Sequence, residues 1–327
     1  MTNRDRVCVT GGTGFIGSWL IMRLLRRGYV VNATVRVNPV GSKDVGFLRS
    51  LPGAEENLRI VVSDLSIPGS FDPAIEGCVG VFHVATPVDF EGKEPEEVVV
   101  KRTVDGTLDL LRACLRSGTV KRFVYTSSAS AVVFNGAEPG EALDESSWSD
   151  VDYLRRTMTF PVSYMVSKTL AEKAVLEFGE EHGLDVVTVI PSFVHGPFIC
   201  PKFPGSVRTC LAMIMGNEEE YPSLLKISLV HVDDVASAHI FLFENSDVKG
   251  RYICSSHDMT AEDTLRFLSD RYPEFSIPPV ESLKGIKVQL LPGLSSQKLM
   301  AAGFKFEYGV EEMFNGAIQS CREKGYL

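Results

Sequence analysis

Val7-Cys8-Val9-Thr10-Gly11-Gly12-Thr13-Gly14-Phe15-Ile16-Gly17 is a short apolar, β-branched run that breaks into three spaced glycines. An amphipathic pattern follows, with Trp19, Leu20, Met22, Leu24 and Leu25 before an Arg26-Arg27-Gly28 stop. The reading is strand, tight turn, helix. Glycines at 11, 14 and 17 let the backbone turn sharply, approach a pyrophosphate and pack the helix against the strand. The helix N-terminus then offers its unpaired N–H groups to the phosphates. Gly11, Thr13, Gly14, Phe15, Ile16 and Gly17 are therefore candidate dinucleotide contacts.

A second apolar strand, residues 30–35, ends in Arg36. An NAD site would place an acidic residue at this point to hold the ribose 2′-hydroxyl, whereas a 2′-phosphate asks for arginine. Arg36 is expected to stack on the adenine and pair with that phosphate, with Lys43 as a second cation. The expected cofactor is accordingly NADPH/NADP+ rather than NAD.

Further apolar strands at 58–62, 80–85, 122–127 and 186–191 alternate with helical stretches, the clearest at 104–117 and 163–181. Apolar strands separated by helices indicate a parallel sheet covered on both faces. From Gly196 onward prolines become frequent, and residues 250–254 read as an isolated strand. The expected class is α/β: a Rossmann-type doubly wound parallel sheet with a smaller C-terminal substrate-binding part. The dinucleotide-binding domain is placed at 1–195, with 229–243 returning to it, and the substrate-binding part at 196–327.

At 327 residues with 44% hydrophobic content, the chain can bury a substantial core. A net charge of −9 with no compensating basic stripe argues against nucleic acid or anionic membrane as partner. Apolar runs stay short of the roughly 20 residues that span a bilayer, and no signal-peptide pattern opens the chain. The seven cysteines are scattered, with neither CxxC nor metal spacing, so reduced thiols in a cytoplasmic protein without a metal site are expected.

Tyr164-Met165-Val166-Ser167-Lys168 sets a phenol and an ammonium four residues apart on a predicted helix, hence on one face. Ser127-Ser128-Ala129-Ser130 follows a strand directly, so its hydroxyls open on the edge where the nucleotide is expected. A phenol with a reference pKa of about 10 is a poor proton shuttle at neutral pH. A neighbouring Lys⁺ and an oxidised nicotinamide are expected to pull Tyr164 toward about 7, a shift of ~3 units or roughly 4 kcal/mol. Outside this group, His83 reads as a hydrogen-bonded core residue and His231 and His239 as structural neighbours of Asp233-Asp234. Residues 94–97 read as a helix start, and Glu218-Glu219-Glu220 as a solvated loop.

Gly11-Gly12-Thr13-Gly14-Phe15-Ile16-Gly17, Asp64-Leu65, Thr126-Ser127-Ser128-Ala129 and Tyr164-Met165-Val166-Ser167-Lys168 resemble the extended short-chain dehydrogenase/reductases. Along essentially the whole chain the sequence looks like the plant dihydroflavonol 4-reductase group. The likeness runs through Phe82-His83-Val84-Ala85-Thr86-Pro87, residues 144–150, 167–172, His231-Val232-Asp233-Asp234 and Gly250-Arg251-Tyr252. This resemblance implies that Ser128 hydrogen-bonds a substrate carbonyl, Tyr164 donates the proton, and Lys168 holds the ribose hydroxyls. It also implies adenine contacts from Asp64 and Leu65, a dinucleotide lining from Val84, Ala85 and Thr86, and a nicotinamide neighbourhood at residues 191–194, including Pro191 and Val194.

The substrate pocket implied by the resemblance includes Val88, Ser128, Val133, Met165, Ser192 and Ser228. Dihydroflavonol reductases usually carry Asn where this chain has Val133, and Gln where it has Ser228. Residues 130–136 look more like those of vestitone reductases. Losing an amide there removes about 1–3 kcal/mol from binding of a hydroxylated ring. The expected function is NADPH-dependent reduction of a ketone on a flavonoid or isoflavonoid-type phenolic, a small-molecule partner, by a chain that can act as a monomer. The alternatives are dihydroflavonol 4-reduction proper, a non-flavonoid ketone, an NAD-dependent sugar-nucleotide epimerase, or a non-catalytic NADPH-binding protein.

Overall fold

The computed structural model describes residues 5–36, 45–87, 94–137, 140, 142–158, 162–284, 286 and 291–327. Its strands in chain order are β1 (Arg6–Thr10), β2 (Val30–Val35), β3 (Leu58–Val62), β4 (Gly80–His83), β5 (Arg122–Thr126), β6 (Asp185–Pro191), β7 (Phe193–His195), β8 (Lys226–His231), β9 (Gly250–Cys254) and β10 (His257–Thr260). Seven form one parallel sheet in the order β3-β2-β1-β4-β5-β6-β9. The winding reverses between β1 and β4, which opens a crevice beyond the carboxyl ends of the strands.

Period-2 alternation of the strands assigns the two faces. Val7 and Val9 of β1, with Phe82, Val124 and Val187, pack beneath the Phe15–Arg26 and Val232–Glu244 helices. Cys8, Val81, Phe123 and Tyr125 point to the other face, under the Glu96–Ser117 and Val162–His182 helices. The central strands β1, β4 and β5 thus carry buried apolar residues on both sides, as a helix-covered parallel sheet requires. The Glu96–Ser117 helix starts eight residues earlier than the expected 104, with Glu96 and Glu97 in its first turn, where carboxylates suit the helix dipole.

β7, β8 and β10 form a second sheet in the order β10-β8-β7. Ile227 and Leu229 of β8 share an apolar cluster with Leu265 and Leu268 of the Ala261–Arg271 helix and Met313 and Phe314 of the Val310–Lys324 helix. Three sequence expectations change here. Gly250–Cys254 is no isolated strand of the C-terminal part, because it pairs in register with Val187–Pro191 as the seventh strand of the main sheet. Residues 229–243 are divided: the strand portion belongs to the small sheet, and only the Val232–Glu244 helix packs on the first helix. Glu218-Glu219-Glu220 is likewise no plain solvated loop. It opens a short 3-10 turn, and Glu220 accepts from Thr209 Oγ1 and pairs with Arg208, both at 3.0 Å.

The turn after β1 is set by backbone approach. Gly11 sits at φ +71°, and a Cβ on Gly17 would lie 2.3 Å from the Gly11 carbonyl oxygen. No side chain longer than hydrogen fits between helix and turn at Gly17. Gly17→Ala is expected to push the helix off the strand and cost about 1–3 kcal/mol in urea denaturation, the usual range for overpacking. An unchanged midpoint would contradict this account of the turn.

Candidate active site

Thr10 at the end of β1 ties the glycine turn to the loop after β4. Its Oγ1 accepts from the Val84 and Ala85 N–H groups, both at 3.0 Å, so its own proton goes to His83 Nδ1 at 2.8 Å. That fixes the tautomer: His83 Nε2–H donates to Thr107 Oγ1 at 3.1 Å, and Thr107 in turn donates to the Thr103 carbonyl at 2.7 Å. Burial holds the His83 pKa down at about 3, reinforced by Lys168, so the ring stays neutral. His83 is the hydrogen-bonded core residue its sequence position suggested. The result is close contact between the two loops: a Cβ on Gly11 would meet Ala85 Cα at 3.0 Å.

The Phe15–Arg26 helix begins at Gly14 with no described side chain capping it and no acidic residue in its first turn. Its first-turn N–H groups face an open, exposed Gly14, the cradle that a pyrophosphate would fill. Arg36 leaves β2 exposed, and Ser63 N–H donates to the Val35 carbonyl at 3.1 Å, which sets Asp64 beside it. Asp64 Oδ1 accepts from Ser66 N–H at 2.7 Å, while Leu65 packs against Gly106 so closely that a Cβ there would lie 2.6 Å from its carbonyl oxygen. Lys43 and Val88 lie outside the described residues.

Lys168 reaches the same edge from the Val162–His182 helix. Its Nζ donates to the Thr126 carbonyl at 2.6 Å and to Thr86 Oγ1 at 2.9 Å, over the Tyr125 ring. One turn earlier, Tyr164 comes close enough to the Ser128 hydroxyl for that group to pull its pKa down. Ser128 caps a short 3-10 turn, Ala129–Ala131, and its Oγ accepts from Ser130 N–H at 3.1 Å. Ser128, Tyr164, Lys168 and Thr86 therefore meet at the carboxyl ends of β4 and β5.

The expected depression of Tyr164 is not what the chain alone produces. Burial raises its pKa, with only the Ser128 hydroxyl pulling the other way. Lys168 itself is pulled down to about 7 by burial, opposed by Glu172. The low dielectric disfavours both charged forms, and this desolvation outweighs the attraction anticipated between phenolate and ammonium. The consequence suits an acid: the phenol holds its proton through neutral pH.

Val133 and Met165 are buried together with Phe134, Leu154, Val166 and Ile190, and Tyr164 packs against this cluster. Ser192, between β6 and β7, has a buried hydroxyl with no partner among the described residues. Pro191 pairs with Cys254 and Val194 with Val230, so residues 191–194 cross from the main sheet to the small one beside the crevice. Phe193 is 40% exposed there, an unusual position for a phenylalanine in a strand. Ser228 lies in the small sheet, its hydroxyl already donated to Asp258 Oδ1 at 2.5 Å. The His231 to His239 segment is structural. Asp233 accepts from Trp19 Nε1 at 2.7 Å and pairs with Arg23, and Asp234 accepts from the Glu307 and Tyr308 N–H groups. His239 Nε2 meets the Thr126 hydroxyl at 2.7 Å.

Sequence reasoning did not single out Thr10, Thr107, Ser149, Arg251 or the Thr126 carbonyl. Glu172, one turn past Lys168 on the same helix face, was not singled out either.

The chain belongs to the NAD dependent epimerase/dehydratase family, which matches residues 7–254. It is 56% identical to vestitone reductase of Medicago sativa over 324 residues, 99% of each chain. It is 49% identical to dihydroflavonol 4-reductase of Hordeum vulgare over 99% of this chain and 91% of that one. The crystal structure of the alfalfa vestitone reductase superposes with a TM-score of 0.89 at 54% identity, covering 99% of this chain and 100% of the other.

The buried ammonium has a measurable signature. Between about pH 7 and 10.5 the unfolded chain binds a proton at Lys168 that the folded chain does not, so this group makes wild-type stability rise with pH across that window. Lys168→Met lacks the dependence. The stability difference between the two proteins should therefore shift in the wild type's favour as pH climbs from 7 to 10, measured by urea denaturation. A constant difference would show that Lys168 is not desolvated.

Proposed function

We propose that this chain is an NADPH-dependent reductase that converts a ketone on a flavonoid or isoflavonoid-type phenolic to the alcohol. One observation carries the reading: Ser128 and Tyr164 brought together beside buried Lys168, at the carboxyl edge of a chain with full-length likeness to vestitone reductase. The glycine cradle of Gly11, Thr13, Gly14, Phe15, Ile16 and Gly17 would hold the pyrophosphate and Arg36 the 2′-phosphate, with Lys43 beside it. Asp64 and Leu65 would flank the adenine, Val84, Ala85 and Thr86 the dinucleotide, Tyr164 and Lys168 the ribose, and Pro191 and Val194 the nicotinamide. Bound NADPH supplies the hydride.

Within that frame the chain's own groups handle the carbonyl oxygen. The Ser128 hydroxyl orients it, and the Tyr164 phenol, kept protonated by burial, transfers its proton there as negative charge develops. In its protonated form Lys168 would ease loss of this proton.

Val133 and Met165 present an apolar wall where an amide would hold ring hydroxyls, and Ser228 is engaged by Asp258. Both features favour an isoflavanone-like ketone over a polyhydroxylated dihydroflavonol. Dihydroflavonol reduction is the second reading, supported by the identity to the barley enzyme. The cytoplasm is the proposed compartment, supported by seven cysteines that are all free and buried. No helix among the described residues is long and apolar enough to cross a membrane.

The test is NADPH oxidation with vestitone, dihydroflavonols carrying one to three B-ring hydroxyls, flavanones and non-flavonoid cyclic ketones. Vestitone should turn over fastest, and Tyr164→Phe should lower kcat by roughly 10²–10⁴ while NADPH still binds. Near-normal turnover by Tyr164→Phe would refute the proton-donor role. Silence across the flavonoids, with a non-flavonoid ketone reduced, would refute the substrate class.

A further inference from the structure

We infer that the buried Glu172–Arg251 pair is a positioning device for the reaction, joining the helix of Tyr164 and Lys168 to the loop that carries Ser128 and Val133. The inference rests on the reductase reading above. Glu172 follows Lys168 by one turn and Tyr164 by two, so the three share a helix face. Its side chain is 0% exposed and that of Arg251 only 7%.

The carboxylate is saturated. Glu172 Oε2 accepts from Ser127 Oγ at 2.6 Å, and Oε1 accepts from Thr188 Oγ1 at 2.6 Å and from Arg251 Nε at 3.0 Å. Ser127 lies between Thr126, whose carbonyl takes the Lys168 ammonium, and Ser128, which meets Tyr164. A shift of the carboxylate therefore moves the supports of all three site residues.

Arg251 carries the constraint outward. Its Nη1 donates to the Glu145 and Ser147 carbonyls, both at 2.7 Å, and its guanidinium lies 3.5 Å over the Trp148 ring. The next residue, Ser149, donates its hydroxyl to the Ser130 carbonyl at 2.8 Å and accepts from Phe134 N–H at 2.9 Å. Ser149 N–H and Asp150 N–H donate to the Ala131 and Phe134 carbonyls at 2.9 and 2.8 Å. Residues 145–150 thus clamp the loop from Ser128 to Phe134 along its length. Neither Glu172 nor Arg251 is placed to touch a reacting atom, and both act through others.

Replacing a buried ion pair by apolar side chains is often neutral or stabilising, so stability alone does not account for this one. Its charge also bears on Lys168. The groups facing that ammonium are Glu172 on its own helix, Tyr125 and the Thr126 carbonyl from β5, His83 and Thr86 from the end of β4, and His239 from the Val232–Glu244 helix. Burial keeps both histidines neutral, which leaves Glu172 as the anion among them.

The test compares Glu172→Gln, Thr188→Val and Tyr164→Phe with the wild-type enzyme, using NADPH and the best ketone of the panel across pH. NADPH affinity is read separately by fluorescence titration and folding by urea denaturation. Glu172→Gln should lower kcat roughly 10- to 100-fold with KM and NADPH affinity within about threefold. The high-pH limb of kcat should move down by about half a unit or more, since deprotonation of Lys168 and Tyr164 becomes easier without the anion. Thr188→Val removes one hydrogen bond and no charge, so it should lower kcat without moving the limb. A folded Glu172→Gln with wild-type kcat and pH profile overturns the inference. Should Glu172→Gln not fold, wild-type kcat in Thr188→Val overturns it. Loss of turnover in Tyr164→Phe alone separates that failure from failure of the reductase reading, which near-normal Tyr164→Phe turnover would signal.

Discussion

Burying the Lys168 ammonium is the constraint to which the rest of the site answers. An unpaired charge in a low-dielectric interior is costly by several kcal/mol even after relaxation. Here the ammonium is met by a strand-end carbonyl, a threonine hydroxyl and an aromatic face, with a carboxylate one helical turn away. The partners come from three elements: β5, the loop after β4, and the lysine's own helix. Satisfying one charge thereby fixes the mutual position of the elements that form the crevice.

A second set of bonds works beside it. Thr10 holds the loop after β4 against the glycine turn and hands its proton to a neutral His83, whose other nitrogen anchors to the Glu96–Ser117 helix through Thr107. The proposed phosphate side and proton-transfer side of the crevice are therefore linked through Thr86, which follows Ala85 and accepts from Lys168. Rigidity of this kind is what positioned catalytic groups require, since misplacement by about 1 Å can cost some 10²-fold in rate.

Much of this was legible in the sequence for local reasons. The glycine turn declares itself because a strand, three glycines at fixed spacing and an amphipathic helix coincide, and the Gly17–Gly11 contact shows why no other residue serves. Tyr164 and Lys168 were legible through helical spacing, and Ser128 through its place after a strand. What stayed hidden depends on tertiary burial. The direction of the Tyr164 shift follows from desolvation, which no spacing encodes. β9 reads as an ordinary apolar strand, and only its register with β6 assigns it to the main sheet. Glu172 and Arg251 stand 79 residues apart, so neither advertises the other.

We propose that Ser128 and Tyr164 together hold the reacting oxygen while Lys168 supports the phenol from below. A crystal structure with NADP+ and the alcohol product of the best ketone tests it most directly. The account predicts the product hydroxyl within hydrogen-bond distance of both Ser128 Oγ and Tyr164 Oη, with the ring system against Val133 and Met165. A product whose hydroxyl points away from both residues would contradict it.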